Sequence, residues 1–459
     1  MVLFITDHNL LMNILTTFIL YLFTSVFALF SDTLRTDKKP DIQEQAVLLN
    51  DNSSWCWFQD DRALIDGEQV LFTGVTSEGA NTVTSYNMKT GEKQTVVIND
   101  QTFEADDHNV GALLKRPDGR YLTVYAGHGV ETKMRYRIST NPGDISEWGE
   151  EKTAETGGRT TYSNVFRLSE SGKTYNFHRG IGNNPNYMVS EDDGENWSYG
   201  RQLFSFPGRP YLRYATNQKD RIHFITTEEH PRHYNNSIYH GYIEGDEVFG
   251  SDGQKAGGLS KQENSRLKPY DFTCIYDGDS STRKNVAWTS DIELDKNGYP
   301  YVGFSVTKDP IRQGETTHTE EGGFDHRYHY ARWDGEQWHA YEIAYAGTRL
   351  YAGENEYTGL ISLHPNDPDV VYISTDVHPE TGSPLQENGP QRYEIFHGIT
   401  KDQGASWQWT AVTENSDEDN IRPMLVCSDQ REVLLWLKGR YTTYRNYDLK
   451  VYGLISNNF

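Results

Sequence analysis

The stretch HNVGALLKRPDGRYLTVYAGH, residues 108–128, decides how the chain is read. An apolar run, the polar turn PDG and a second apolar run make a two-stranded hairpin. A hairpin returns the chain to its starting point, so His108 and His128 lie side by side at one end. The stretch YSNVFRLSESGKTYNFHR, residues 162–179, repeats the arrangement with Tyr162 and Arg179 at its ends. Working outward, five more hairpins of this kind appear: ALIDGEQVLFTG (63–74), LRYATNQKDRIHFITT (212–227), IELDKNGYPYVGFS (292–305), LISLHPNDPDVVYIST (360–375) and MLVCSDQREVLLWLKG (424–439). Each is followed by further strand-like text, such as NNSIYHGYI, HRYHYARWDG or QRYEIFHGI. Long helical periodicity is absent between them. Seven units of about four strands predict an all-β chain folded as a seven-bladed β-propeller.

A second signal agrees. SEDDGENW (190–197) fits the pattern S-x-D-x-G-x-x-W, and TKDQGASW (400–407) is a close variant. The Asp and Gly build a turn between two blade strands, and the Trp plugs the gap between blades. Asp192 and Asp402 are therefore read as turn residues.

The composition narrows function. The 459 residues carry a net charge of -23, which argues against a nucleic-acid partner, since such binders need a basic footprint. The 30 Tyr and 10 Trp suit both inter-sheet packing and contact with sugar rings. Cys56, Cys274 and Cys427 are too few for a disulfide framework. From Met12 the chain reads MNILTTFILYLFTSVFALFSDTLR, with no Lys or Arg before it. The expectation is a signal peptide over residues 1–28 (its start possible at Met12), a leader over 29–50 and a single catalytic propeller over 51–459, secreted, monomeric and without a stable membrane partner. A membrane anchor is the alternative for the apolar run. Residues 251–285 and 307–325 read as long connections.

On the face where first strands start and second strands end, the hairpins place His108 and His128, then Tyr162 and Arg179. Arg209, Tyr211, His230 and Arg232 follow, then Lys308, Tyr357, His378, Arg422 and Arg440. This is a local basic ring in an acidic protein. It lacks the paired carboxylates of most glycoside hydrolases. It suits removal of a proton beside a carboxylate: an arginine such as Arg179 neutralises the acid, and Tyr or His moves protons. The outcome is β-elimination at a uronate.

The segments DDHNVGALLKRPDGRYLTVYAGH, TYNFHRGIGNNPNY, DRIHFITTEEHPR and RLKPYDFTCIYDGD resemble the BNR-repeat propellers that include ulvan lyases, chiefly polysaccharide lyase family 25 and its relative family 24. The resemblance covers nearly all of the chain after the leader. It implies a lyase acting on ulvan, a sulfated rhamnose–uronic acid polymer and thus an anionic polysaccharide partner. It implies His108, His128, Tyr162 and Arg179 as the catalytic set, with Tyr162 and the histidines sharing base and acid duties. Arg209, Tyr211, Arg232, Tyr357 and His378 are the candidate substrate-binding residues. No organic cofactor is expected. Such lyases can carry a structural Zn2+, for which His230, Cys274 and His326 are candidates, with His240 and His329 as substitutes; Cys274 as a plain buried thiol is the alternative.

Two other functions compete. A sialidase needs an arginine triad and an Arg-Ile-Pro segment, and the nearest text here is YRIS at 136–139. A non-catalytic carbohydrate-binding propeller shares the fold.

Overall fold

The computed structural model describes residues 46–100, 103–259, 267–278, 285–309 and 322–457. The expected signal segment lies outside them. Seven antiparallel sheets stand in a ring, as expected for the propeller. Every hairpin read from the sequence forms the two inner strands of a blade. In chain order these are Ala63–Asp66 with Gln69–Val75, Ala112–Lys115 with Tyr121–Tyr125, Thr161–Arg167 with Thr174–Arg179, and Leu212–Thr216 with Arg221–Thr226. Then come Val286–Leu294 with Pro300–Thr307, Ile361–Leu363 with Val370–Thr375, and Asp419–Cys427 with Arg431–Thr443. We number the blades 1 to 7 in this order.

The structure corrects two boundaries. Val47–Asn50, inside the stretch expected to be leader, pairs with Asn446–Asn457 and becomes the outermost strand of blade 7. The propeller therefore starts earlier than residue 51. The pairing covers a sheet edge that would otherwise expose unpaired backbone groups, and it ties the start of the ring to its end. Within 251–285, Lys255–Gly258 and Thr273–Tyr276 are strands added to blade 4, not loop. Residues 260–266 and 279–284 of that stretch, and 310–321 of the other long connection, lie outside the described residues.

Both segments of the pattern S-x-D-x-G-x-x-W, called Asp boxes below, are turns between the third and fourth strands of blades 3 and 6. Ser190 Oγ accepts from Gly194 N–H (2.8 Å), Asp192 Oδ1 accepts from Asn196 N–H (2.9 Å), and Trp197 Nε1 donates to Gly194 O (3.1 Å). Thr400, Asp402, Gly404, Ser406 and Trp407 repeat the pattern bond for bond. Each Trp meets a tyrosine of the preceding blade edge-on, Tyr136 for Trp197 and Tyr330 for Trp407.

The axis is filled. Between the closing strand and blade 1, the segment from Trp55 to Arg62 runs through the centre of the ring. Trp57 Nε1 donates to Thr358 O (2.8 Å), Phe58 stacks on Trp288 (4.2 Å between centroids), and Arg213 donates to Trp57 O (3.0 Å). Gln59 Nε2 donates to Val110 O (3.2 Å) and Asp60 N–H to Asn164 Oδ1 (3.0 Å). These contacts reach the inner strands of blades 2 to 6 or their approaches. Arg422 of blade 7 lies over the Trp57 ring. The plug gives the loops on either face a solid floor.

Candidate active site

His108 sits in the turn Asp107–Asn109 just before blade 2, and His128 just after its second strand. Their rings stack at 4.0 Å with 10° between planes. One carboxylate holds both: Asp106 Oδ1 is 2.7 Å from His108 Nδ1, and Asp106 Oδ2 is 3.0 Å from His128 Nδ1. A carboxylate only accepts, so both Nδ1 atoms carry protons. Burial disfavours charge on His108, but the electrostatics of Cys56, Asp106 and Tyr162 around it and its hydrogen bond to Asp106 outweigh that and raise its pKa well above the usual value. Burial, reinforced by charged His108, depresses His128 to about 4. The two stacked rings are thus pushed apart, His108 toward the protonated form and His128 toward the neutral one, and the neutral ring keeps a free lone pair on Nε2.

Tyr162 follows from a local irregularity. The pairing of blade 3's inner strands shifts register between Thr161 and Asn164, and Tyr162 has a φ of 71°. A bulky side chain in the left-handed region is strained, by about 1–3 kcal/mol, and bulges of this kind re-aim a side chain. Here the ring swings toward His108, 5.6 Å between centroids. Burial raises the Tyr162 phenol well above its usual pKa, with Arg179 opposing. Arg179, paired across the strands with Thr161, reaches the hydroxyls of Tyr162 and Tyr211, both at 3.4 Å. Among the described residues it has no carboxylate partner. A cleft of about 380 Å³ opens here, lined by His128, Arg159, Thr161, Arg179, Arg209 and the loop 180–183.

The structure therefore brings together the four residues read as catalytic, along with Arg209 and Tyr211. Other candidates fall elsewhere. Tyr357 is only 4% exposed and packs on Trp57 in the axial floor. Arg232 is tied to Glu354. His378 turns into its own loop, where Nδ1 accepts from Glu380 N–H (3.3 Å). Arg422 is fully buried and donates to Asp107 (2.9 Å). Lys308 donates to Asn285 (3.0 Å).

The proposed zinc ligands do not assemble. His326 presents both ring nitrogens to carbonyl oxygens, Gly347 O at 3.2 Å and Asn355 O at 2.8 Å. His230 Nδ1 accepts from Arg232 N–H (3.1 Å), and Cys274 is exposed on the strand added to blade 4. The substitutes are committed too, His240 to Ser251 and His223, and His329 against Phe304. The His, Cys and acidic groups that do converge among the described residues contain none of these five. These residues do not fit a closed zinc site.

Several participants escaped sequence reading. Asp106 was visible in the string DDHN, but nothing said that it bridges two histidines. Asp107 holds Tyr441 (2.7 Å) and Arg422. Tyr444 stands edge-on to His108 at 5.0 Å, and Arg445 Nε donates to Asp106 Oδ2 (3.1 Å). Both come from the tip of the long last hairpin of blade 7, more than 300 residues away (|i−j| = 339).

Such a fold and site define a class. The model of the BNR repeat-containing family matches residues 68–346, and the chain belongs to that family. Among solved structures it is similar to a family-25 polysaccharide lyase, described as an ulvan lyase bound to -[GlcA(1-4)Rha3S]-, at 15% identity over 89% of this chain and 95% of that one, with a TM-score of 0.64. It is also similar to the polysaccharide lyase Uly1, at 12% identity over 92% and 95% of the two chains, with a TM-score of 0.52. At these identities the likeness shows a shared fold. No curated protein matches the chain.

Proposed function

We propose that this protein is a secreted polysaccharide lyase that cleaves ulvan by β-elimination at the uronate. The observation that carries the reading is Arg179: a guanidinium without an acidic partner among the described residues, in a protein of net charge -23, beside a neutral imidazole and a protonated phenol. Arg179 binds the uronate carboxylate and offsets the charge that develops as the C5 proton leaves. His128 Nε2 accepts that proton, and Asp106 holds the ring in the tautomer that permits it. The electron pair forms the C4–C5 double bond, the C4–O bond breaks, and the Tyr162 hydroxyl supplies a proton to the departing oxygen. Arg159 and Arg209 extend the positive lining of the cleft toward the rest of an anionic chain. Structural likeness to lyases of the same fold supports the assignment.

The test is incubation with ulvan, heparan-type and alginate-type polymers while absorbance from the unsaturated uronyl end is followed. Ulvan is expected to give the signal. Tyr162→Phe and His128→Ala are each expected to lower kcat by about 10²–10⁴-fold with the fold retained. Chain cleavage without new absorbance means hydrolysis, and an intact polymer means a binder; either result rejects the lyase.

A further inference from the structure

Outside the cleft, the catalytic face carries an aromatic group with no role in the reaction above. Tyr234 is 38% exposed and Tyr270 is 59% exposed. Both meet Phe206 edge-on at 6.3 Å, so three rings cluster at the surface of blade 4. Isolated exposed apolar groups need no explanation, but a cluster that is held in place does. Phe206 N–H donates to Asn184 Oδ1 (2.7 Å), directly after the 180–183 loop that lines the cleft. Ser205 N–H donates to Leu267 O (3.2 Å) and Lys268 Nζ to Ser205 O (2.6 Å), which pins the Tyr270 loop to the Phe206 loop. Asn236 is bonded to both Glu229 and Tyr234, which fixes the third ring's loop. Phe206 lies three residues before Arg209 of the cleft lining, at most about 11 Å along the chain.

We infer that Phe206, Tyr234 and Tyr270 form a stacking platform for sugar rings of the polymer as it leaves the cleft. This rests on the reading of the cleft as a polysaccharide site. Aromatic faces suit pyranose rings because C–H groups on one side of the sugar present an apolar surface, while its hydroxyls and acidic groups stay in water. A platform beyond the reacting bond adds affinity only for chains long enough to span both places. It also loosens the demand on the arginine-lined cleft to hold the whole polymer by charge, which salt screens.

The experiment compares Tyr234→Ala, Tyr270→Ala and the double variant with Tyr234→Phe and Tyr270→Phe. Two substrates are used, polymeric ulvan and the shortest ulvan oligosaccharide that is cleaved. The polymer-to-oligosaccharide ratio of kcat/KM is expected to fall by about threefold to tenfold in the Ala variants and to be restored by Phe. The same variants in a Tyr162→Phe background are run through an ulvan-containing native gel, where loss of the rings is expected to reduce retardation. An unchanged ratio, or a fall with Phe equal to that with Ala, overturns the platform while leaving the lyase intact. If the wild-type chain cleaves nothing, the lyase reading fails, and the gel alone decides whether the rings hold polymer.

Discussion

Asp106 does at this site what a bare list of catalytic side chains cannot. It accepts from Nδ1 of both histidines and from Arg445, so one carboxylate sets two tautomers and is itself held from blade 7. Asp106→Asn removes the charge and one acceptor while keeping the shape, and is expected to lower kcat by about 10–100-fold with little change in KM. Steady-state kinetics on ulvan checks this. His128 predicts the pH profile. Its pKa is depressed to about 4, so it is neutral, and competent as a base, at every pH above that. The acid limb of kcat/KM is expected near 4 rather than near the ordinary histidine value of about 6.5. A limb at the ordinary value rules out His128 as the base. At this scale the sequence was informative where hairpin geometry pairs residues locally, as for His108 with His128 and Tyr162 with Arg179. It did not tell where Tyr357 and His378 point, because Tyr357 packs into the axial plug and His378 turns into its own loop.

Elements carry a different logic. The Asp-box turns are read from their letters because every bond in them is local, within a few residues of Ser190 or Thr400. Gly404 shows the constraint: its φ is +100°, and a Cβ there would lie 2.6 Å from the Tyr330 ring. Gly404→Ala is expected to lower the unfolding free energy by about 1–3 kcal/mol, measured by urea denaturation. Gly143, with a φ of +67° but nothing near its Cβ, serves as the comparison, and Gly143→Ala is expected to cost less. The last hairpin is the opposite case. Its strands Arg431–Thr443 and Asn446–Asn457 are the longest in the molecule among the described residues, and the extra length carries Tyr444 and Arg445 to the histidine pair. Strand length is written in the sequence, but the destination of the tip is not.

For the molecule as a whole, a second charged cluster lies along the axial plug, with more acids than arginines. Asp60, Asp61, Asp291 and Glu293 gather around Arg62 and Arg213. Burial and the neighbouring Asp61 raise Asp291 to about 8, and Asp60 is raised to about 6, chiefly by burial. A carboxyl whose folded pKa lies above its unfolded value contributes stability below the unfolded value and loses it as pH rises through the folded one. Buried histidines held below their usual pKa, such as His223 and His329 at about 3, act in the opposite sense, so the Asp291 contribution is read as a difference: Tm of Asp291→Asn is expected to rise relative to the unsubstituted protein between about pH 4 and pH 8. A thermal melt series at constant ionic strength tests it. An equal slope in the variant removes Asp291 from the account.

Strand content, blade number and the two matching Asp-box turns were legible in the letters, because alternation and turn chemistry act over a few neighbouring residues. The nearness of His108 to His128 and of Tyr162 to Arg179 was legible for the same reason, since each pair closes a single hairpin. Ring closure by Val47–Asn50, the plug from Trp55 to Arg62, the Asp106 bridge and the dispersal of the supposed zinc ligands belong to tertiary structure alone. Those features join residues far apart along the chain, and which distant groups meet depends on the angle at which neighbouring blades pack, something no local pattern encodes.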